Sequence, residues 1–288
     1  MDENELTLLF LTIKSREKYL VEMRDGVKVA LYKSLPNEEE NSETKRPIFL
    51  IPGFIAYLGV WSTIINSLVK ERFPVYAFES REKSTSTSKV TDENFNVEGM
   101  VDDVKDVLQY LKLQQPFFMA GNSLGTSIIL KHIIKNVDNK ELLPSKIALI
   151  QAVYSSASLS GQIKLAKYRL FFKSFIKLTI FFAPILYWKR RKTQPKTYQV
   201  SISNLRHADL EKMRVGLIRS VDVDVFDGLS KVEIPSLAIG FTDDEIHPTD
   251  QVYQISQLVK NGQYLEIAEK ETLHTIDTAN LIASFLME

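Results

Sequence analysis

The 288-residue sequence contains no cysteine, which excludes disulfide bonds, thiol catalysis and thiolate metal sites. It also has no excess charge, because 36 basic residues match 36 acidic ones, so net charge gives no indication of a nucleic acid partner. Histidine is scarce, with four residues that do not cluster, so no metal site and no cofactor are expected. No apolar run approaches the roughly 20 residues that a membrane-spanning helix needs.

The N-terminal segment lacks the positive charge of a secretory signal. Asp2, Glu3 and Glu5 precede its short apolar stretch. We therefore expect the mature chain to begin at Met1 and to be cytoplasmic. With 44% hydrophobic residues, the chain can bury a substantial core.

Short apolar runs alternate with helical patterns along most of the chain. A hairpin is expected around Asp25-Gly26. The predicted strands are 19–23, 27–32, 47–51, 74–78, 117–120, 147–153, 235–241 and 264–267, and the predicted helices are 60–70, 97–113, 126–135, 250–260 and 275–286. This alternation predicts the α/β class, with a mostly parallel central sheet flanked by helices.

The interval 156–228 interrupts the alternation and favours helices. We interpret it as a helical insertion into a core formed by 1–155 and 229–288. Twelve lysine or arginine residues and no acidic residue lie between Glu141 and Asp209. Arg169, Lys173 and Lys177 form one helical stripe, interleaved with aromatic and aliphatic residues.

Three interpretations of this insertion stay open, and they overlap. It can be a lid over an apolar substrate pocket, with Phe171, Phe175 and Trp188 as candidate substrate contacts. It can also lie peripherally on an anionic membrane surface. The third interpretation is an ordinary cap that packs its apolar face on the core and leaves its lysines in solvent.

The strongest chemical signal is Gly121-Asn122-Ser123-Leu124-Gly125, between a predicted strand and a predicted helix. In that setting a Gly-x-Ser-x-Gly sequence holds a serine hydroxyl at a sharp, strained turn. The N-terminus of the following helix offers backbone N–H groups to a developing oxyanion, and Leu124 N–H is the first donor expected. Ser123 is therefore the candidate nucleophile.

A serine nucleophile needs a base, which must be one of the four histidines. His132 is expected on the surface of the helix after Ser123. His207 falls in the insertion, and His247 lies in a loop before a proline. His274 follows the last predicted strand and precedes the last helix, so chain order favours His274 as the base.

The carboxylate that orients the base is expected in Asp243-Asp244-Glu245, which follows a predicted strand. Adjacent side chains diverge, so only one of the three can point into the site. The sequence pattern alone leaves the choice open.

The chain resembles the α/β-hydrolase superfamily from about residue 19 onward. The resemblance is carried by Pro52-Gly53-Phe54, the Ser123 turn, the Asp243/Asp244 loop and His274 before a final helix. It implies an α/β-hydrolase fold, with the helical cap inserted after the sixth strand. It also implies Asp244 as the acid, with Asp243 as the fallback, because the family's acid commonly lies four residues before a proline.

The same resemblance implies Phe54 N–H as the second oxyanion-hole donor, although Pro52 stands where the family often has histidine. The expected function is a serine hydrolase that cleaves carboxylic esters with an apolar acyl chain. Its expected partner is a small acyl ester. The alternatives are a thioesterase, an acyltransferase or a carbon–carbon bond hydrolase on the same residues, and a non-catalytic binding protein of the same fold.

Overall fold

The computed structural model describes residues 16–37, 43–113, 116–153, 160–219, 225–244 and 246–288. The strands are β1 (Arg16–Glu22), β2 (Lys28–Ser34), β3 (Ile48–Ile51), β4 (Val75–Glu79), β5 (Phe118–Asn122), β6 (Lys146–Ile150), β7 (Ser236–Phe241) and β8 (Gly262–Ile267). The core helices are α1 (Ser62–Lys70), α2 (Val97–Leu111), α3 (Leu124–Lys135), α9 (Thr249–Leu258) and α10 (Ile276–Met287). Between β6 and β7 come α4 (Ser160–Ala166), α5 (Arg169–Leu186), α6 (Trp188–Thr193), α7 (Pro195–His207) and α8 (Leu210–Arg219).

The strands form one eight-stranded sheet in the order β1-β2-β4-β3-β5-β6-β7-β8. The pairs β1–β2 and β2–β4 are antiparallel, and every pair from β4 to β8 is parallel. This confirms the predicted mostly parallel sheet. In such a sheet the carboxyl ends of the parallel strands lie at one edge, where side chains from distant parts of the sequence can meet.

Helices cover both faces of the sheet because its strands are apolar on both sides. In β3, Phe49 and Ile51 face a cluster that includes residues of α2, α3 and α9. Ile48 and Leu50 face the opposite cluster, which includes residues of α1 and α10. Successive side chains thus alternate between two cores, as the pleat of a strand requires.

The helices α4–α8 occupy the interval in which the sequence predicted a helical insertion. Ala166, Phe172, Ile176, Met213 and Leu217 form a small hydrophobic cluster there. Across the described ranges, no helix combines the length and apolar character needed to cross a bilayer.

Two sequence predictions differ from the structure in this part of the chain. β6 ends at Ile150 rather than at residue 153, because Gln151 has a positive φ of 52° that interrupts the extended backbone. His132 is fully buried rather than on a helix surface. Helix α3 is buried on nearly every side, and the ring of His132 finds a hydrogen-bond partner 2.9 Å away in the carbonyl of Leu142.

Candidate active site

Ser123 lies at the sharp turn between β5 and α3. Its backbone has φ 50° and ψ −118°, which is an uncommon conformation for a residue with a side chain. Its N–H donates to the carbonyl of Ile150 at 2.9 Å, which fastens the turn to the end of β6. The serine is thus held at the carboxyl edge of the sheet, as predicted for a Gly-x-Ser-x-Gly turn.

The two glycines of this turn allow β3, β5 and α3 to approach closely. A Cβ atom at Gly125 would lie 2.1 Å from the carbonyl oxygen of Ile51. One at Gly121 would lie 2.9 Å from the backbone of Gly125. Any larger residue would push the helix away from the sheet and displace Ser123.

The side chain of His247 connects Ser123 to Asp244. Its Nε2 atom is 2.8 Å from Ser123 Oγ, and its Nδ1 atom is 2.7 Å from Asp244 Oδ2. These distances fit a hydrogen-bonded chain in which the serine hydroxyl donates to Nε2 and Nδ1–H donates to the carboxylate. A hydroxyl, an imidazole and a carboxylate are therefore joined in one line.

A tight turn after β7 brings His247 back toward the sheet edge. Asp244 N–H donates to Phe241 at 3.1 Å, and Asp244 Oδ1 accepts from Ile246 N–H at 3.0 Å. This side-chain-to-backbone bond reverses the chain within a few residues. In the sequence, the available signal for His247 is its position three residues after the candidate acid, whereas chain order favoured His274.

Asp244 is buried and is surrounded by donors. Lys270 Nζ lies 2.7 Å from its Oδ1 atom, and the side-chain amide of Gln151 donates to its Oδ2 atom. Burial by itself raises the pKa of Asp244, but the hydrogen bond and charge of His247 and the charge of Lys270 outweigh it and hold the pKa well below its ordinary value. Asp244 is therefore ionised throughout the neutral range.

Gln151 connects the acid to the serine turn by a second route, through the same carboxylate oxygen that faces His247. Its Oε1 atom accepts from the side-chain amide of Asn122 at 2.6 Å, while its amide group donates to Asp244. Asn122 is the residue immediately before Ser123. The polar contacts thus form a ring from Asn122 through Gln151, Asp244 and His247 to Ser123.

His274, the base expected from the sequence, makes neither of the contacts that His247 makes. His274 lines a cavity that Ser123 and His247 also line. Its ring packs edge-on against Trp61 with centroids 5.0 Å apart. Its Nδ1 atom is buried and has no hydrogen-bond partner in the described part of the chain. Burial, together with the charge of Lys270, lowers the pKa of His274 to about 4. The geometry therefore departs from the sequence prediction, because the loop after β7 already places another imidazole against Ser123.

The other acidic candidate, Asp243, points away from this ring. Its carboxylate accepts from Lys270 N–H at 2.6 Å and from the side chain of Gln194 at 3.0 Å. The structure thus brings Asp244, and not the fallback Asp243, to the imidazole.

The two backbone amides proposed to hold an oxyanion belong to Phe54 and Leu124. Phe54 lines the cavity beside Ser123, and Leu124 is the first residue of α3. Among the described residues, neither amide N–H has a hydrogen-bond acceptor. Both N–H groups are consequently available to a ligand.

A buried lysine supports the loop that carries Phe54. Lys83 Nζ donates to the carbonyl of Gly53 and pairs with Glu82 at 2.6 Å. Lys212 of α8 reaches the same region, where its Nζ atom bonds the carbonyls of Lys83 and Ser86 at 3.0 and 2.8 Å. Lys83 thus fixes the candidate oxyanion loop, and Lys212 ties α8 to the segment that carries Lys83.

A cavity of about 830 Å³ extends from Ser123 to the helices between β6 and β7. Its apolar wall includes Leu165, Phe175, Val200, Leu205, Met213 and Leu217. Of the three aromatic residues of α5 and α6 predicted to contact substrate, Phe175 lines this cavity. Phe171 and Trp188 do not line it, and their side chains are mostly exposed.

No group of histidine or acidic side chains in the described ranges is arranged to hold a metal ion. The chemistry available to the site is that of a serine hydroxyl beside an imidazole and an ionised carboxylate. Such an arrangement can pass a proton from the hydroxyl to the ring while the oxygen attacks an electrophilic carbon.

Comparisons with known proteins agree with the observed sheet. The sequence model of the alpha/beta hydrolase fold matches residues 46–148. No protein with a curated description matches the sequence closely enough to count as a relative.

Solved structures resemble the whole chain at low sequence identity. An esterase from Exiguobacterium antarcticum has a TM-score of 0.74 at 17% identity, with 94% of this chain and 100% of the other covered. An esterase from Thermogutta terrifontis has a TM-score of 0.72 at 16% identity, covering 95% and 98% of the two chains. An enol-lactonase from Burkholderia xenovorans has a TM-score of 0.71 at 16% identity, covering 94% and 100%. At such identities the likeness concerns the fold alone.

Proposed function

We propose that this chain, a member of the α/β-hydrolase superfamily, is a serine hydrolase that cleaves carboxylic esters with an apolar acyl chain. The observation that carries the proposal is the position of His247 between Ser123 Oγ and the Asp244 carboxylate. Two of the similar structures are esterases and a third is an enol-lactonase, which agrees with an ester substrate.

In the proposed reaction, Ser123 Oγ bonds to the ester carbonyl carbon while its proton passes to His247 Nε2. The ionised Asp244 accepts the Nδ1–H bond, which fixes the tautomer and stabilises the imidazolium that forms. The imidazolium then gives its proton to the alkoxide oxygen that leaves as the C–O bond breaks. A water molecule repeats the sequence on the acyl-enzyme and releases the acid.

Negative charge develops on the carbonyl oxygen during both attacks. The N–H groups of Phe54 and Leu124 are the proposed donors to this oxygen, since neither has an acceptor among the described residues. Leu124 adds the favourable field of the α3 N-terminus. Removing one such donor from other hydrolases typically costs about 10²–10³-fold in kcat.

The choice of His247 as base rests on two contrasts with His274. His247 has both a donor hydroxyl and an orienting carboxylate, whereas His274 Nδ1 has no partner among the described residues. Burial also lowers the pKa of His274 to about 4, and so weak a base is poorly matched to proton transfer at neutral pH.

The proposed substrate class follows from the cavity. Its volume of about 830 Å³ is within the range of small-molecule sites, and aliphatic and aromatic side chains form much of its wall. An acyl chain can lie along Leu165 and Met213 with its carbonyl at Ser123. Such a wall favours esters of apolar acids over esters of charged acids.

The test is the Ser123→Ala variant, which keeps the Cβ atom and removes only the nucleophile. We expect turnover of p-nitrophenyl esters to fall by about 10⁴-fold or more and fluorophosphonate labelling to disappear. Unchanged thermal unfolding is the control for the fold. A loss of turnover of only a few-fold would contradict the proposal, and a parallel series of thioesters and vinylogous diketones tests the choice of ester.

A further inference from the structure

Helix α5 leaves a large apolar face exposed. Phe172, Ile176 and Ala183 form its buried stripe. On the opposite side, Phe171, Phe175, Leu178, Phe181, Phe182 and Ile185 are exposed, and we call these six residues the α5 outer face. Phe181 and Ile185 are 75% and 70% exposed, which is unusual for a contiguous group of large apolar side chains.

Basic residues border the α5 outer face. Lys177 lies on the same helix, and Lys189, Arg191 and Lys192 follow in α6. None of these four pairs with a carboxylate in the described part of the chain, whereas Arg169 and Lys173 are both held by Glu211. The apolar face therefore carries uncompensated positive charge at its edge.

This combination fits one kind of occupant. That occupant is an anionic lipid surface. Its headgroups complement the four basic side chains, and the lipid acyl chains beneath the headgroups accept the aromatic and aliphatic side chains. A second copy of the chain fits less well, because the sequence between Glu141 and Asp209 contains no acidic residue to offer in return. With 18 residues, α5 is about 27 Å long, and it does not qualify as a bilayer-spanning helix.

The α5 outer face also adjoins the cavity that contains Ser123. Phe175 belongs to both, since it is 50% exposed and also lines the cavity. Tyr187, directly after α5, is likewise part of the cavity wall and exposed to solvent. A membrane surface in contact with the α5 outer face would therefore lie beside the cavity wall that contains Phe175 and Tyr187.

We propose that the α5 outer face docks in the plane of an anionic phospholipid bilayer, and that the docked chain takes its acyl substrate from that surface. Docking itself depends on the apolar face and its basic border. The uptake of an acyl substrate from that surface rests on the proposed ester hydrolase activity. The two parts are separable, because binding to vesicles is measured without any reaction.

The experiment is sedimentation of the full chain with phosphatidylcholine vesicles that contain or lack phosphatidylserine. The Ser123→Ala chain is used in parallel, so that binding is measured without lipid hydrolysis. We expect binding only to the anionic vesicles, weakening as salt rises. The Phe181→Ser/Ile185→Ser variant tests the apolar face, and Lys189→Glu/Arg191→Glu tests the basic border.

Each variant is expected to lower vesicle affinity by about 30-fold or more, since each lysine or arginine and each buried apolar side chain contributes substantially at such a surface. Both are expected to retain turnover of a soluble p-nitrophenyl ester. Lys112→Glu/Lys231→Glu is the matched control, because it makes the same charge change at exposed residues outside the cap. It is expected to bind like the parent chain.

Equal binding to neutral and anionic vesicles overturns the proposal, as does the absence of binding to either. Concentration-dependent dimerisation that is abolished by Phe181→Ser/Ile185→Ser, without vesicle binding, assigns the α5 outer face to self-association instead. If the parent chain binds the vesicles but shows no esterase turnover, the result supports docking and refutes only the proposed function.

Discussion

His247 hydrogen-bonds to Asp244, only three residues before it, and to Ser123, which is 124 positions away in the sequence. The first contact is local and is created by the turn after β7. The second is formed because β5 and β7 flank β6 in the sheet. The candidate site therefore depends on both a short loop and the strand order.

Replacing each histidine separately tests which one is the base. We expect His247→Phe to reduce kcat for a p-nitrophenyl ester by about 10⁴-fold or more, because Ser123 loses its proton acceptor. His274→Phe is expected to change kcat by less than about ten-fold. The opposite pattern would assign the base to His274, as chain order alone suggested.

Gln151 is predicted to position Asp244. In Gln151→Leu the Asp244 carboxylate loses one hydrogen-bond donor, so its orientation toward His247 is held less firmly. We expect kcat to fall by about ten-fold with little change in KM, because the substrate contacts of the cavity are unchanged.

The control for this variant is Gln194→Leu. It removes the same type of glutamine–aspartate bond from the neighbouring Asp243, which lies outside the ring of polar contacts. Its kinetics are expected to match the parent chain. If both variants behave alike, Gln151 has no special relation to the site.

Stability is predicted to fall on mild acidification because of buried histidines. The folded-state pKa of His274, about 4, is below its ordinary value of 6.5, so below about pH 6.5 the unfolded chain binds a proton that the folded chain does not. The contribution of His274 is complete above pH 6.5 and decreases as the pH falls toward 4. His132, with a pKa also lowered to about 4 by burial, acts in the same direction.

Urea unfolding at two pH values measures this effect. Between pH 7.5 and pH 5, His274→Phe is expected to lose about 2 kcal/mol less of its free energy of unfolding than the parent chain. Comparing pH values within each variant removes any packing difference between the two rings. Equal losses in both chains would show that His274 is not held neutral by burial.

Lys212 is predicted to anchor α8 to the segment 83–86 that follows β4. Its ammonium has three acceptors, the carbonyls of Lys83 and Ser86 and the hydroxyl of Ser86. Lys212→Met leaves these acceptors without their donor, and we expect a loss of about 2–4 kcal/mol in the free energy of unfolding.

Lys173→Met provides the matched comparison for that measurement. Lys173 is one of three cations around Glu211 and is partly exposed, so its loss is expected to cost less than about 1 kcal/mol. Similar costs for the two variants would rule out a special anchoring role for Lys212.

Much of the fold and part of the site could be predicted from the sequence. The alternation of apolar runs and helical patterns indicated the parallel sheet, and the flanks of Gly121–Gly125 located the Ser123 turn. Both signals are local, since they depend on periodicity and on residues a few positions apart. The proposed amide of Leu124 also came from this local turn, whereas Asp244 and the proposed amide of Phe54 came from the family resemblance.

The choice between His247 and His274 could not be made in that way. Both follow Asp244 in the sequence, so the order serine, aspartate, histidine describes either one. The direction in which His247 points depends on the Asp244–Ile246 bond after β7, which is a tertiary detail of one turn. Similarly, the pattern of α5 indicated an apolar helix but not which of its aromatic residues line the cavity.

The ring from Asn122 to Ser123 begins and ends on adjacent residues but passes through the ends of β5, β6 and β7. A slip of one residue between β6 and β7 would move Asp244 by about 3.3 Å relative to Gln151, which is more than a hydrogen bond tolerates. Catalytic competence should therefore vanish as soon as these strands lose alignment, even while most of the molecule stays folded. A measurement of turnover therefore reports whether β5, β6 and β7 keep their register.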